Sequence, residues 1–490
     1  MSATDTDSGC PSDAGKDEGG GERDTGAERD LTTGPVWREL AVIAGPMVFG
    51  LAAVLSVGLV DTFFVSKLGT QQLAALSFAF PVTVVMTGLC IGLGAGAASV
   101  VSREIGAGDE DCARRMALHS MLLGILTLVA VSIAGWFATP LIFRALGAEG
   151  PVHEDIVTYM RIWWWSMPFL VMSIVAHNIV RSVGNATWPS VIMTISATVN
   201  IAATAALVFG FAMIPEMGIA GAATGTLVAR ASVVWISIWL ITSHVNMVTW
   251  RIPELSVLKS AWWDVGKVAG PAALGNMVNP FSIALVTAIL AGFSEAVVAA
   301  FGVATRVESI ATIPLLAMSA AMAPISGQNW GADKVGRIRS TLKLSFLCSL
   351  VWAGVLAGVF WMFAEPIAGV FSSEDGVAED AAKYLRIVPI SLFGFGVVVC
   401  SASAFNAIDQ ATRGLAYYAG RSALLYLPLS WIGSLIAKEE GVYYGIAAAN
   451  VVAGLLVGAY ALHWLRRQER GEDTEAEEDE FEELGLAPAE

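Results

Sequence analysis

The chain has 490 residues, of which 55% are hydrophobic and only 14% charged, with a formal net charge of −15. That balance lies outside the range of soluble domains and predicts an integral membrane protein. The strong acidity argues against nucleic acid as a partner.

The acidic residues crowd into the two ends. Nine of the 43 lie in residues 1–30 and eleven in Glu469–Glu490. Residues 1–35 are polar and Gly-rich with too little apolar surface to offset ordering entropy, so a disordered acidic tail is expected there. No basic region followed by a short apolar run suggests a cleaved leader. Only eight of the 28 basic residues are Lys. Low Lys with abundant Asp and Glu matches the proteome habit of salt-loving archaea.

Between the tails the chain is a series of segments apolar on all sides, each long enough to cross hydrocarbon at about 20 residues per span. The first is expected near Leu40–Ser66, broken by Pro46 and carrying a lone carboxylate, Asp61. The second runs near Leu73–Val101 and is dense in small residues (GLCIGLGAGAAS). Further spans are expected near 116–138, 160–181, 189–211 and 219–242. A longer, Trp-rich amphipathic stretch at 249–267, with Trp250, Trp262 and Trp263, suits an interfacial link between two halves. The second half yields spans near 268–292, 298–323, 342–363, 385–408, 416–436 and 442–463. The expected organisation is therefore an N-lobe at 36–248, a linker at 249–267, a C-lobe at 268–465 and an acidic tail at 466–490. With the ends inside, the inner loops and tails hold 20 of the 28 Lys and Arg and the outer side six. That bias favours cytoplasmic termini in a multi-pass cell-membrane protein.

The halves resemble each other. Val42–Gly50 (VIAGPMVFG) has a counterpart 225 residues on in Lys267–Gly275 (KVAGPAALG), so Pro46 recurs as Pro271. At the same offset Asp61 meets Val286. A proline in both copies belongs to the scaffold and can bend each helix. A carboxylate in one copy only points to a task of the first half. Six spans per half give two copies of the same orientation, an arrangement typical of transporters.

Buried carboxylates in a span are costly and usually face a cavity, an ion or a proton path. Asp61 is the foremost candidate, against the plainer reading that it marks the outer end of its span. Asn200 and Thr204 share a helix face, and with Thr226 they offer hard oxygen ligands suited to Na⁺ or to holding a protonated carboxyl. Taken singly, the ordinary reading of each is a helix–helix hydrogen bond, and only convergence with Asp61 would make them a site. Arg306 and Glu308 could form a C-lobe substrate or proton site, or Glu308 could be a structural partner for Arg306 or Arg230. Asp409 and Arg413, four apart, suit an interfacial ion pair. The five cysteines are scattered, His119 and His177 lack ligand-like neighbours, and no metal cluster beyond a Na⁺ site is expected. No Walker, GxSxG or HExxH pattern is present, so no catalytic residue and no cofactor is assigned.

Four segments in order carry a resemblance to the multidrug and toxic compound extrusion (MATE) family, prokaryotic branch. They are Gly45–Val82, Gly92–Asp109 (GLGAGAASVVSREIGAGD), Asn178–Pro189 (NIVRSVGNATWP) and Pro324–Ile338 (PISGQNWGADKVGRI). The resemblance covers residues 37–465. It implies a V-shaped carrier of two six-helix lobes, working as a monomer in membrane lipid. Such a carrier exports organic cations or amphipathic drugs in exchange for Na⁺ or H⁺. The N-lobe cation site of archaeal relatives uses an aspartate, an asparagine and a threonine, matched by Asp61, Asn200 and Thr226. Those relatives have a second aspartate where this sequence has Thr204, which leaves the coupling ion open. The alternative within the same superfamily is a lipid or polysaccharide-precursor flippase. It calls for a ring of basic residues, and Arg230 and Arg306 within the spans do not make one. A membrane sensor would need a signalling domain that the sequence lacks.

Overall fold

The computed structural model describes residues 29–211, 215–245, 247, 255–371 and 375–471. Three long helices open the fold: α1 (Val36–Leu68), α2 (Thr70–Ala107) and α3 (Glu110–Ala145). At 1.5 Å per residue they reach about 50–57 Å, well past the hydrocarbon thickness. The turn from α2 to α3 is short because Gly108 adopts φ 83° and Asp109 caps the next helix, its side chain accepting from Cys112 N at 2.8 Å. The fourth crossing is broken at Ser166 into α4 (Gly150–Trp165) and α5 (Met167–Ser182). α6 (Thr187–Phe209) and α7 (Gly218–Trp239) complete the first half.

In the second half α8 (Leu255–Ala291) is one continuous helix. α9 (Glu295–Ala311) and α10 (Ile313–Gly331) form one crossing bent by 46°. α11 (Val335–Phe371) is unbroken, while α12 (Asp375–Ile387) joins α13 (Leu392–Ala407) through a 3₁₀ turn at Pro389–Ser391. α14 (Ala411–Ala419) runs through a π segment, Gly420–Tyr426, into α15 (Leu427–Arg470). α15 folds back on itself at Ala437 and Lys438, whose backbone is not helical. Its arms touch through glycines: a Cβ on Gly441 would fall 1.9 Å from Gly433 O. With that fold-back counted, the described helices make the twelve expected crossings.

Three expectations change. Residues 29–34, expected to be disordered, are hydrogen-bonded to both halves, and Leu31 among them is wholly buried. The expected linker is not separate from the seventh span: its residues 255–267 are the first turns of α8. The C-terminal helix continues through Arg470 before the tail begins. Trp250, the rest of the linker, residues 1–28 and residues 472–490 lie outside the described residues.

Two apolar cores account for the lobes, one built mainly from α2–α7 and the other from α9–α15. The first helix of each half crosses over near the face that carries both chain ends. Leu40 and Ala44 of α1 pack into the second core; Val265 and Ala269 of α8, 225 residues on, pack into the first. Small residues make this exchange close: Gly92 and Gly96 of α2 abut Ala269 and Val265.

Polar contacts between the lobes cluster on the same face. Arg103 of α2 reaches Asp409 at 3.5 Å, and Ser99 Oγ donates to Ala407 O at 3.1 Å. The segment before α1 straps the two lobes together. Arg29 N donates to Val183 O at 3.0 Å, and Leu31 N donates to Gln328 Oε1 at 2.9 Å. Gln328 in turn donates to Ser182 O at 2.6 Å, and Arg337 donates to the carbonyls of Thr33 and Gly34. Among the described residues no hydrogen bond or ion pair joins the lobes toward the opposite face, where the V opens.

Candidate functional site

Asp61 lies in the outer part of α1, half-buried, and its Oδ1 is enclosed without a hydrogen-bond partner. An enclosed carboxylate oxygen left unpaired calls for an explanation, since such atoms are nearly always satisfied. The Thr204 hydroxyl interacts with this carboxylate from α6. Thr204 Oγ1 donates to Asn200 Oδ1 at 3.4 Å, and Asn200 Nδ2 donates to Thr226 Oγ1 on α7 at 3.4 Å. All three are buried. The approach of α6 to α7 depends on Gly225, where a Cβ would fall 2.4 Å from Thr204 Oγ1. Asp61, Asn200, Thr204 and Thr226 therefore converge from three helices.

Two further groups belong to this cluster and were not singled out from the sequence as members of it. Arg230, one turn after Thr226 on α7, acts electrostatically on Asp61. Its Nη1 donates to Ser166 Oγ at 2.7 Å, at the break between α4 and α5, and its guanidinium lies 5.6 Å from the Trp163 ring centroid. Tyr159, one turn before Trp163 on α4, also lies within the field of Asp61. The sequence carried a signal for Tyr159: YMRI (Tyr159–Ile162) recurs at offset 225 as YLRI (Tyr384–Ile387).

The C-lobe copy of that tyrosine also faces a carboxylate. Tyr384 Oη donates to Glu308 Oε2, although Glu308 comes from α9, not from the position equivalent to Asp61. Arg306 does not join them; it is exposed on α9. The cation that acts on Glu308 is Arg421, on the π segment. Arg421 is buried and donates to Asn450 Oδ1 at 2.9 Å and to Asn279 Oδ1 at 3.0 Å. Arg306 and Arg230 are thus both replaced as expected partners of Glu308. The expected Asp409–Arg413 pair is also not formed. Asp409 pairs with Lys267 at 2.9 Å and with Arg103, while Arg413 lies 4.5 Å from the Trp464 ring centroid.

Pro46 and Pro271 sit inside α1 and α8, the two helices that exchange cores. The carbonyl of Pro46 accepts from Ser190 Oγ of α6, and the same hydroxyl accepts from Gly50 N at 3.1 Å. α1 is thereby tied to α6 three turns before Asp61 meets Thr204 on that same helix.

Comparison with known proteins agrees with this architecture. The MatE family model matches residues 46–206 and 271–432, once in each half. A FAD transporter of Shewanella oneidensis is 33% identical over 425 residues, 87% of this chain and 94% of that protein. The multidrug export protein MepA of Staphylococcus saprophyticus is 23% identical, covering 86% and 92%. Among solved structures, the Vibrio cholerae MATE transporter VcmN in its bent form superposes with TM-score 0.82 at 28% identity, covering 88% of this chain and 98% of that one. The chain belongs to the MatE family of multi-span membrane transporters and is not an enzyme.

Proposed function

We propose that the chain exports organic compounds across the cell membrane in exchange for Na⁺ or H⁺, coupled through Asp61. The observation that carries this reading is the enclosed, unpaired Oδ1 of Asp61 beside Thr204, Asn200 and Thr226. A proton satisfies that oxygen directly. Na⁺ fits less fully, because the set offers one carboxylate.

The termini lie in the cytoplasm, where the straps between the lobes hold the inner face shut and the V opens outward. An ion arriving from outside occupies Asp61 and changes how α1 sits between α6 and the other lobe. The cargo is released, the lobes rock, the inner contacts part, and the ion leaves inward. Coupling needs only that ion and cargo prefer different states of the two-lobe equilibrium. Residues 36–248 and 268–465 act as the two moving bodies of a monomer. Glu308 with Tyr384 provides a second ionisable position in the C-lobe.

Organic cations and amphipathic drugs are one cargo class, supported by the MepA relatives. A flavin dinucleotide is a second reading, favoured by the FAD transporter at 33% identity. The test is purified protein in proteoliposomes, with Na⁺ and H⁺ gradients imposed separately and transport of ethidium and of flavin dinucleotide followed. One gradient driving one cargo is the expected result. Cargo movement indifferent to both gradients refutes the coupling.

A further inference from the structure

The chain is strongly acidic, with a formal net charge of −15, yet one groove on its surface gathers cations. It lies between the start of α11 and the end of α15, on the face that carries both chain ends, with a volume of about 710 Å³. Arg339 and Lys343, one turn apart on α11, line it opposite His463, Arg466 and Arg470 of α15. Among the described residues that line it Glu469 is the only acid, and it pairs with Arg339 at 2.8 Å. Arg339 Nε is nevertheless enclosed without a partner. Lys343, His463 and Arg466 are exposed, and among the described residues they make no hydrogen bond or ion pair.

Charges along both helices fix the depth of this groove in the membrane. On α11 no charged residue stands between Lys343 and Glu365, a rise of about 33 Å at 1.5 Å per residue. On the second arm of α15 none stands between Glu440 and His463, a rise of about 35 Å. Both lengths match a hydrocarbon core of about 30 Å, so Lys343 and His463 lie at the level of the lipid headgroups. Leu347, one turn from Lys343, is exposed on the same face of α11, and Leu350 and Val351 follow it. Tyr460 and Leu456 continue the face of His463 on α15 in the same way, also exposed. The groove is therefore basic at headgroup level and runs into an apolar wall at the depth of acyl chains.

The first half does not repeat this cluster. At the offset of 225 Arg339 meets Arg114, which pairs with Glu110 at 2.9 Å and Asp111 at 3.6 Å, and Lys343 meets Leu118. Residues 231–243, at the end of the first half's last crossing, carry no Lys, Arg or His. A feature present in one copy only is not a requirement of the scaffold.

We propose that the groove between α11 and α15 holds the phosphate headgroup of one anionic membrane lipid, whose acyl chains lie along Leu347, Leu350 and Val351. Guanidinium groups hold phosphate oxygens through charge-assisted hydrogen bonds, and Lys343 adds a point charge. Basic pockets between membrane helices at this level take such headgroups. A chain this acidic is repelled as a whole by an anionic membrane surface, so the attraction is local to the groove. Seated there, the lipid bridges α11 and α15 and braces the C-lobe at the face where the lobes meet.

The experiment titrates dioleoylphosphatidylglycerol into the purified full-length protein in detergent and counts retained lipid by native mass spectrometry. Dioleoylphosphatidylcholine and inorganic phosphate are the comparison ligands, and every variant first passes as a single symmetric elution peak. The parent retains one phosphatidylglycerol in preference to phosphatidylcholine. Lys343→Gln combined with Arg466→Gln weakens that binding by about 30-fold, the loss expected for two basic side chains at a headgroup. Arg38→Gln combined with Lys259→Gln removes the same charge from exposed positions outside the groove and keeps the parent's affinity. A groove variant that retains phosphatidylglycerol as the parent does overturns the proposal. Equal weakening in both double variants makes the attraction diffuse and also overturns it. Displacement of the lipid by millimolar phosphate gives the groove to free phosphate, against the proposal. A last variant carries Gln and Asn for every acid of residues 472–490 and is expected to bind the lipid as the parent does. Binding seen in that variant alone gives the groove to the chain's own tail and refutes the lipid.

Discussion

Gly92 is the point where a small change should move the whole molecule. A Cβ there would stand 2.5 Å from Ala269 O and 2.6 Å from Ala273 Cβ, both on α8. Non-bonded carbons settle at about 3.5–4.0 Å, so Gly92→Ala must drive α2 and α8 apart by about 1 Å. Overpacking of this kind costs about 1–3 kcal/mol. The cost applies only while the lobes are closed at the face carrying the chain ends. At 1.4 kcal/mol per tenfold, the ratio of open to closed at that face rises by about 5- to 150-fold. Spin labels on the exposed positions Glu110 and Ser340, one in each half, report the opening by double electron–electron resonance. Gly354→Ala, where nothing lies within 4 Å, is the control and should leave the distances unchanged. If Gly92→Ala gives the parent's distance distribution, the packing of α2 on α8 does not hold that face shut.

Other contacts make their own predictions. Leu31→Asp puts a charge into the pocket that Leu31 fills, and the strap should unpack; trypsin then cleaves after Arg29 in the variant but not in the parent. Equal protection would remove the strap from the account. Tyr384→Phe leaves the Glu308 carboxylate without its hydroxyl donor, at a cost of about 1–3 kcal/mol, read as a lower melting temperature in detergent. Asp409→Asn weakens the pairs to Lys267 and Arg103, which are partly exposed and worth at most about 1 kcal/mol each. Its melting temperature should fall less than that of Tyr384→Phe, and the reverse order would contradict the weighting of exposed against buried charge.

Helix existence and order are legible in this sequence because hydrocarbon leaves few alternatives to long apolar runs. Breaks are not. Ser166 and Thr312 interrupt crossings inside segments apolar on every side, where periodicity gives no sign of which face turns inward. The offset of 225 residues did carry information: it paired Pro46 with Pro271, and it also pairs Tyr159 with Tyr384 once the carboxylates facing them are known. Site residues spaced on one helix, such as Asn200 and Thr204, could be placed on a common face from spacing alone. Arg230 and Arg421 could not be assigned partners, since these come from helices distant in sequence. The strap is the clearest departure. Its composition is that of a disordered tail, yet a single leucine and the backbone hydrogen bonds around it fix residues 29–34 between the lobes.

The central claim is that Asp61 couples ion to cargo, and the most direct measurement is cargo-driven ion movement by Asp61→Asn in proteoliposomes. Internal pH and Na⁺ are followed while an outward-loaded cargo is added, with elution profile and melting temperature matched to the parent. The account predicts that the variant folds as the parent does and moves no ion in response to cargo. Exchange at the parent's rate in that variant would contradict it.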